Sequence, residues 1–274
     1  MKRVATIILN RNLPDVTDSL VAHINQFDGD ITDVFVVEAG SDRNNLSKSV
    51  TWIADWPKAQ AQGLRYCRGM NYGLSQLFVG QRFKQYDAFF LLTNDTELQS
   101  KKTIAPLVEI LDQHPRVGIL SPCSKRWGER FLLENGSTKY FWFIHNNAYL
   151  LRREFVESIF NEDEPNEMNF LFDGSNFRGY GSEHELIAKA YANDWAAAIT
   201  SSIWASENES HLLEKTDLIK TEAYEENMKL YIEEGKAWMR KKYGFNSHWS
   251  MQQYVKSFYD HFFEFHPEFS EYRV

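Results

Sequence analysis

Hydrophobic positions in the first half of the chain fall into short solid runs of strand length, each closed by a polar cluster. Val4 to Leu9 is rich in β-branched residues and has no polar face, the pattern of a strand buried on both sides. It stops at Asn10-Arg11-Asn12-Leu13-Pro14. Leu20, Val21 and Ile24 then recur at helical spacing, with Asp15 or Thr17 as the N-cap and Phe27 at the helix end. Asp33 to Val37 is the next strand and runs into Glu38-Ala39-Gly40-Ser41-Asp42. A strand, a helix and a strand in that order predict a βαβ unit, with parallel pairing and a right-handed crossover. Both strands then end in polar loops on the same side of the sheet.

The stretch Gly63 to Leu74 leads into a helix with Leu74, Leu77 and Phe78 on one face. The run Ala88 to Leu92 is a central strand closed by Thr93-Asn94-Asp95-Thr96-Glu97. A helix follows over 103–111 and a strand over 117–122. From about residue 125 the pattern loosens, and Trp127, Phe131 and Tyr140 to Phe143 lie among polar residues. Strands resume over 148–153 and 195–203, with a helix beginning near Ser182 between them. Beyond residue 216, Tyr224, Met228, Tyr231, Gly235 and Trp238 recur at helical spacing, as do Tyr254, Phe258, Phe262 and Phe265, predicting two amphipathic helices. The class is α/β with a helical C-terminal extension.

Composition narrows what such a chain does. A net charge of −8 argues against a nucleic-acid binder, which needs clustered Lys and Arg to neutralise phosphates. Cys67 and Cys123 are the two cysteines, too few for a disulfide framework, so a reducing cytoplasm is the expected setting. The apolar start ends at Asn10, too soon for a signal-peptide core or a membrane span.

The chemistry concentrates at strand ends, where open α/β sheets bind ligands. Asp95 and Glu97, one residue apart, suit a hard divalent cation, and a solvated turn is the plain alternative. Arg65, Arg68 and three glycines over 63–74 could cradle a phosphate or serve a closely packed helix entry. Glu183 and Glu185 fall in a first helical turn, where the macrodipole favours acids regardless of function.

Taken in order, these pieces resemble the family 2 glycosyltransferases, inverting enzymes of the GT-A fold that use nucleotide-diphosphate sugars. Asn10-Arg11-Asn12 is similar to the loop after the family's first strand. Val36-Val37-Glu38-Ala39-Gly40-Ser41-Asp42 resembles its Val-Val-Asp-Asn-Gly-Ser-Thr stretch. Arg68-Gly69-Met70-Asn71-Tyr72-Gly73 resembles its Arg/Gly-x-x-Asn-x-Gly helix start, and Asn94-Asp95-Thr96-Glu97 its metal motif. Phe172-Asp173 through Tyr180-Gly181-Ser182-Glu183-His184-Glu185-Leu186 resembles its Phe-Asp…Tyr-Gly-Glu-Asp-x-Asp-Leu segment, with Ser182 replacing an acid.

The resemblance covers residues 1–215 and implies a nucleotide-binding half over 1–100, an acceptor and catalytic half over 101–215, and a separate extension over 216–274. It implies donor contacts from Asn10, Arg11, Asn12, Glu38, Arg68, Asn71, Asn94 and Asp95, with Glu38 holding the base. Asp95 and Glu97 would bind Mn2+ or Mg2+, with His211 as a further ligand or a plain loop histidine. Glu183 is the implied base, and a one-residue shift would place His184 there. Trp142 and Glu185 are the acceptor candidates. The implied partners are a nucleotide-diphosphate sugar, a UDP-sugar first among them, and a glycan or other hydroxyl acceptor. A non-catalytic sugar-nucleotide or glycan-binding module derived from a transferase is the alternative, and a nucleotidyltransferase a weaker one, since Asn10 to Pro14 lacks its glycine-rich loop. The C-terminal helices could cap the acceptor site, form a homodimer or make peripheral membrane contact through Trp238 to Tyr243.

Overall fold

The computed structural model describes residues 2–145, 148–208, 210 and 214–274. Strands β1 (Val4–Asn10), β2 (Thr32–Glu38), β3 (Val50–Ile53) and β4 (Ala88–Thr93) form the parallel first half of the sheet. Helices α1 (Pro14–Asp28), α2 (Pro57–Gln62) and α3 (Arg65–Val79) connect them. The rest comprises β5 (Thr96–Leu98), α4 (Ile104–Gln113), β6 (Val117–Cys123), β7 (Thr138–Tyr140), β8 (Tyr149–Arg152), α5 (Arg153–Ile159), α6 (Ser182–Ala192) and β9 (Ala196–Glu207). The strand order is β3-β2-β1-β4-β8-β6-β9-β5, with β7 pairing on β9. β8 runs antiparallel between β4 and β6, and β6 pairs parallel with β9, so the sheet is mixed but mostly parallel.

The solid apolar runs became the central strands for the expected reason. β1 is buried along its whole length, and β4 up to Thr93, because helices cover both faces. Two boundaries differ from the sequence reading. Helix α1 starts at Pro14 with Leu13 at the N-cap position, because proline fits the first helical turn. The Leu13 amide is instead accepted by the Asn10 side chain at 3.1 Å. Helix α3 starts at Arg65, so Arg68 to Asn71 are already helical. Its glycines serve packing: a Cβ on Gly69 would stand 2.8 Å from the Leu9 side chain, and one on Gly73 2.8 Å from Ile7. The short elements β3, α2, β5, β7 and α5 had no periodicity long enough to announce them.

Two amphipathic helices form at the C-terminus, α7 (Tyr224–Tyr243) and α8 (His248–Phe265). Their apolar stripes are core. Val255, Tyr259, Phe262 and Phe263 of α8 join the main hydrophobic cluster, with Tyr259 and Phe262 set edge-on against Tyr191 of α6. Trp238 and Met239 of α7 form a smaller cluster with Met251. Gly235 is where α7 crosses the loop before α6, and a Cβ there would lie 2.4 Å from the Tyr180 Cβ and 2.8 Å from its carbonyl oxygen. Gly235→Ala is therefore expected to push α7 off that loop. The overpacking should cost roughly 1–3 kcal/mol, read as a lower urea midpoint, despite the better helix propensity of alanine. An unchanged or raised midpoint would show that α7 is not seated there.

Candidate functional site

The carboxyl ends of β1 and β4 open into a cavity of about 730 Å³. Asn10, Arg11, Asn94 and Asp95 line it from the strand ends, Arg65 and Tyr66 from the start of α3, and Ile219 and Thr221 from the segment before α7. Asn94 is held in place by its amide nitrogen, which donates to Asn10 Oδ1 at 3.2 Å and Thr17 Oγ1 at 3.1 Å. Burial pushes the Arg11 guanidinium down to about 10, and the nearby Arg65 adds to that. Arg65 is lowered too, by burial and then by Arg178. The Nε atoms of both Arg11 and Arg65 are shielded and lack a hydrogen-bond partner. Two crowded, desolvated guanidiniums make the cavity receptive to an anion.

The segment 216–222 closes the cavity like a strap. Asn12 donates to the Leu218 carbonyl at 2.8 Å, Lys220 pairs with Asp42 at 2.5 Å, and Arg65 donates to Thr221 Oγ1 at 2.8 Å. Glu222 accepts from Arg178 at 2.5 Å and from Arg65 at 3.3 Å. Burial works to raise the Glu222 carboxyl, but its own backbone amide, Arg178 and Thr221 outweigh it and bring the pKa down to about 2. A depressed carboxyl stabilises the fold above its unfolded pKa of about 4.3, and the contribution disappears as pH falls toward 2. Amide exchange over 216–222, corrected for its intrinsic pH dependence, should therefore accelerate between pH 4.5 and pH 2. Protection that stays flat across that window would refute the role of Glu222 as the clasp.

Asp95 also lines a second cavity of about 780 Å³, together with Thr96, Glu97, Asn208 and His23. Glu97 is exposed and accepts from the Asn208 amide at 3.0 Å. The two carboxylates thus flank one opening, and an all-oxygen donor set of this kind fits Mg2+ or Mn2+. His211 lies outside the described residues.

Several residues implied by the resemblance are engaged elsewhere. Glu38 is fully buried, and its two oxygens accept from Asn10 Nδ2, Ser41 Oγ and the Ser47 amide. A carboxylate so filled braces the loops after β1 and β2 and has nothing left for a base. Asn12 is buried and ties the strap to Asp42. Arg68 donates to the Gly174 carbonyl at 2.7 Å and lies 4.8 Å over the Phe177 ring, away from the cavity. Asn71 is fully buried and fastens the backbone at Leu171 and Phe172 through four contacts to residues 167–172. For these last two the reason is the same: α3 starts early and turns both side chains toward 167–174.

Glu183 and His184 open α6. The Glu183 carboxylate is 2.7 Å from His184 Nδ1 and remains partly exposed, whereas His184 is fully buried. Burial works to raise the Glu183 carboxyl, but the charge and hydrogen bond of His184, its own amide and His248 together hold it below the usual range. His248, the first residue of α8, meets the His184 ring edge-on at 4.6 Å. Nearby, His145 pairs with the buried Glu129 at 2.7 Å and stacks on Trp127. Tyr66 lies between this group and the cavity at the ends of β1 and β4. Its shielded hydroxyl is pushed well up by burial, then by Cys67, Glu207 and Glu183.

The two acceptor candidates face the extension. Glu185 is buried against Lys242 at 2.6 Å and Tyr243 at 2.9 Å. Trp142 is half-buried between Phe143 and Tyr259, with the Lys256 ammonium 5.4 Å over its ring. The sequence reading offered Arg65 only as part of a phosphate cradle and missed the strap and His248. Arg65 stood inside the glycine-bearing stretch and was in view. The strap reaches Arg65 from 156 residues along the chain, and His248 reaches His184 from 64 (248 − 184), neither with a motif of its own.

No family model and no curated protein matches the chain. Among solved structures, a mannosyltransferase PcManGT from Pyrobaculum calidifontis, in complex with GDP-Man and Mn2+, superposes with a TM-score of 0.50 at 12% identity, covering 93% of this chain and 85% of that one. GalNAc-T7 with UDP, GalNAc and Mn2+ superposes with a TM-score of 0.54 at 8% identity, covering 96% of this chain and 56% of that one. The chain has the GT-A fold. S. aureus TarS 1-349 in complex with UDP superposes with a TM-score of 0.47 at 13% identity, covering 88% of this chain and 73% of that one. In this GT-A chain the cavity lined by Arg11, Arg65 and Asp95 lies where the strand order turns outward from β1 to β4, the place open α/β sheets use for ligands.

Proposed function

We propose that the protein is a cation-dependent inverting glycosyltransferase that takes a nucleotide-diphosphate sugar, a UDP-sugar first among candidates, and transfers the sugar to a hydroxyl of a glycan or similar acceptor. The observation that carries this reading is the cavity at the ends of β1 and β4, which Arg11, Arg65 and Asp95 line together on a GT-A frame. Guanidiniums alone would suit any anion, and a carboxylate alone would repel one. Together they suit an anion that arrives with a divalent cation.

Arg11 and Arg65 orient the diphosphate, and the strap, tied down through Asn12, Arg65 and Arg178, excludes water from it. Asp95 and Glu97 would hold Mg2+ or Mn2+, and the ion would supply Lewis-acid stabilisation of charge on the leaving diphosphate. Glu183 takes the proton from the attacking hydroxyl as general base. Its depressed pKa keeps it ionised at neutral pH, ready to accept, and His184 fixes its orientation. Of the roles open to the C-terminal helices, capping the acceptor side is supported by α8, which lies against Trp142 and brings His248 beside Glu183.

A thermal-shift screen of nucleotide sugars tests the reading directly. At least one donor should raise the melting temperature with Mn2+ or Mg2+ present and fail to do so in chelator, because a ligand that binds only the folded state stabilises it by mass action. No stabilisation by any donor under either condition would overturn the proposal. Slow donor hydrolysis in the same cation would separate an enzyme from a binding module.

A further inference from the structure

Glu183, His184 and His248 each offer a ligand atom, and the three atoms lie within 4.8 Å of one another. The His184 ring is fully buried, and its Nδ1 is already engaged by Glu183 at 2.7 Å. Its other nitrogen, Nε2, is shielded from solvent and has no hydrogen-bond partner. A buried imidazole nitrogen left without a partner is costly, and native structures rarely keep one without a use. The His248 ring stands against it, backed by Tyr180 at 5.3 Å. His248 and Glu183 both retain some exposure, so an ion could enter without unfolding.

We infer that Glu183, His184 and His248 form a site for a divalent transition-metal ion of the zinc type, separate from the cation site at Asp95. The donor set decides the kind of ion. Two imidazoles and one carboxylate are the protein ligands of zinc sites that leave a fourth position for water or a ligand, whereas Mg2+ prefers oxygen throughout. The helix starts of α6 and α8 both point here, and their positive ends oppose a cation. That field weakens within a turn, and the Glu183 charge offsets it, while two nitrogen ligands and an oxygen bind directly.

With Glu183 as the proposed base, the site also bears on transfer. A carboxylate committed to a metal ion cannot accept a proton, so zinc would act as an inhibitor of transfer.

The test uses the full chain, stripped with chelator and carrying Asp95→Ala to remove the other cation site. Calorimetric titration with Zn2+ should show one equivalent bound at micromolar or tighter dissociation constant. Co2+ in place of Zn2+ should give the visible absorption of a four-coordinate nitrogen–oxygen site. His248→Ala and Glu183→Gln, each checked for native circular dichroism, should weaken Zn2+ binding at least about tenfold. Absence of Zn2+ uptake, or undiminished uptake by both folded variants, would overturn the site. These readouts involve no donor and no turnover, so they stand or fall apart from the transferase reading. In the chain with Asp95 intact, Zn2+ should suppress transfer at saturating Mn2+, and His248→Ala should raise the inhibitory concentration about tenfold. Inhibition unaltered by His248→Ala would refute the inhibitory role.

Discussion

Glu183→Gln should lower sugar transfer by about 10²- to 10⁴-fold while leaving the donor dissociation constant in Mn2+ within about twofold of wild type. Glutamine keeps the length of the side chain and an oxygen that can still accept from His184 Nδ1, so the start of α6 should survive the change. What it removes is the ability to take the acceptor proton. Glu183 does not line the cavity at the ends of β1 and β4, which is why donor affinity is expected to hold. His184 is the residue a shifted alignment would favour as base, but its side chain is fully buried while that of Glu183 retains 18% exposure. A buried ring engaged with its neighbour is better suited to orienting the carboxylate than to meeting an acceptor. Measured as kcat and KM for both substrates, transfer at wild-type rate by Glu183→Gln would move the base elsewhere.

Asp95→Ala should abolish the cation-dependent part of donor binding, so that affinity in Mn2+ drops to that of the wild type in chelator, by at least about a hundredfold. Asp95 lies on the wall shared by the two cavities, beside Asn94 on one side and Glu97 on the other. No other carboxylate lines the cavity at the ends of β1 and β4, so among the described residues none there substitutes for it. Asp95→Asn keeps the shape and serves as the control for local collapse, and should fail almost as completely because a neutral amide is a weak cation ligand. Calorimetry with the stabilising nucleotide sugar reads both variants. If the wild type binds donor equally well in chelator and in Mn2+, the cation role of Asp95 is wrong.

Much of the frame built by the first half of the chain was legible in the sequence. Val4 to Leu9 and Ala88 to Leu92 are solid apolar runs, and such runs have one comfortable place, the middle of a sheet covered on both faces. The polar clusters after them could then be assigned to one edge, and Asn10, Arg11, Asn94 and Asp95 do line one cavity. Glu38, Arg68 and Asn71 were not legible in the same way. A motif records which residue type stands at a position, and it does not record what else arrives there to satisfy it. Ser41, Ser47 and Asn10 fill the Glu38 carboxylate, and the Gly174 and Leu171–Phe172 backbones engage Arg68 and Asn71.

The C-terminal helices divide the same way. Their aromatic stripes were periodic and therefore readable as buried faces, and Tyr259, Phe262 and Trp238 are buried. Their destination was not readable, since apolar contact is non-directional and any exposed apolar face would satisfy a stripe. By itself the sequence determined the α/β class, the strands that carry the polar loops, and the acids at their ends. Only the tertiary structure decided that 216–222 straps the cavity, that Arg65 rather than Arg68 faces into it, and that His248 stands beside His184. Local periodicity fixes which face of an element is buried. Pairing across more than sixty residues depends on packing and hydrogen-bond satisfaction, which no local pattern encodes.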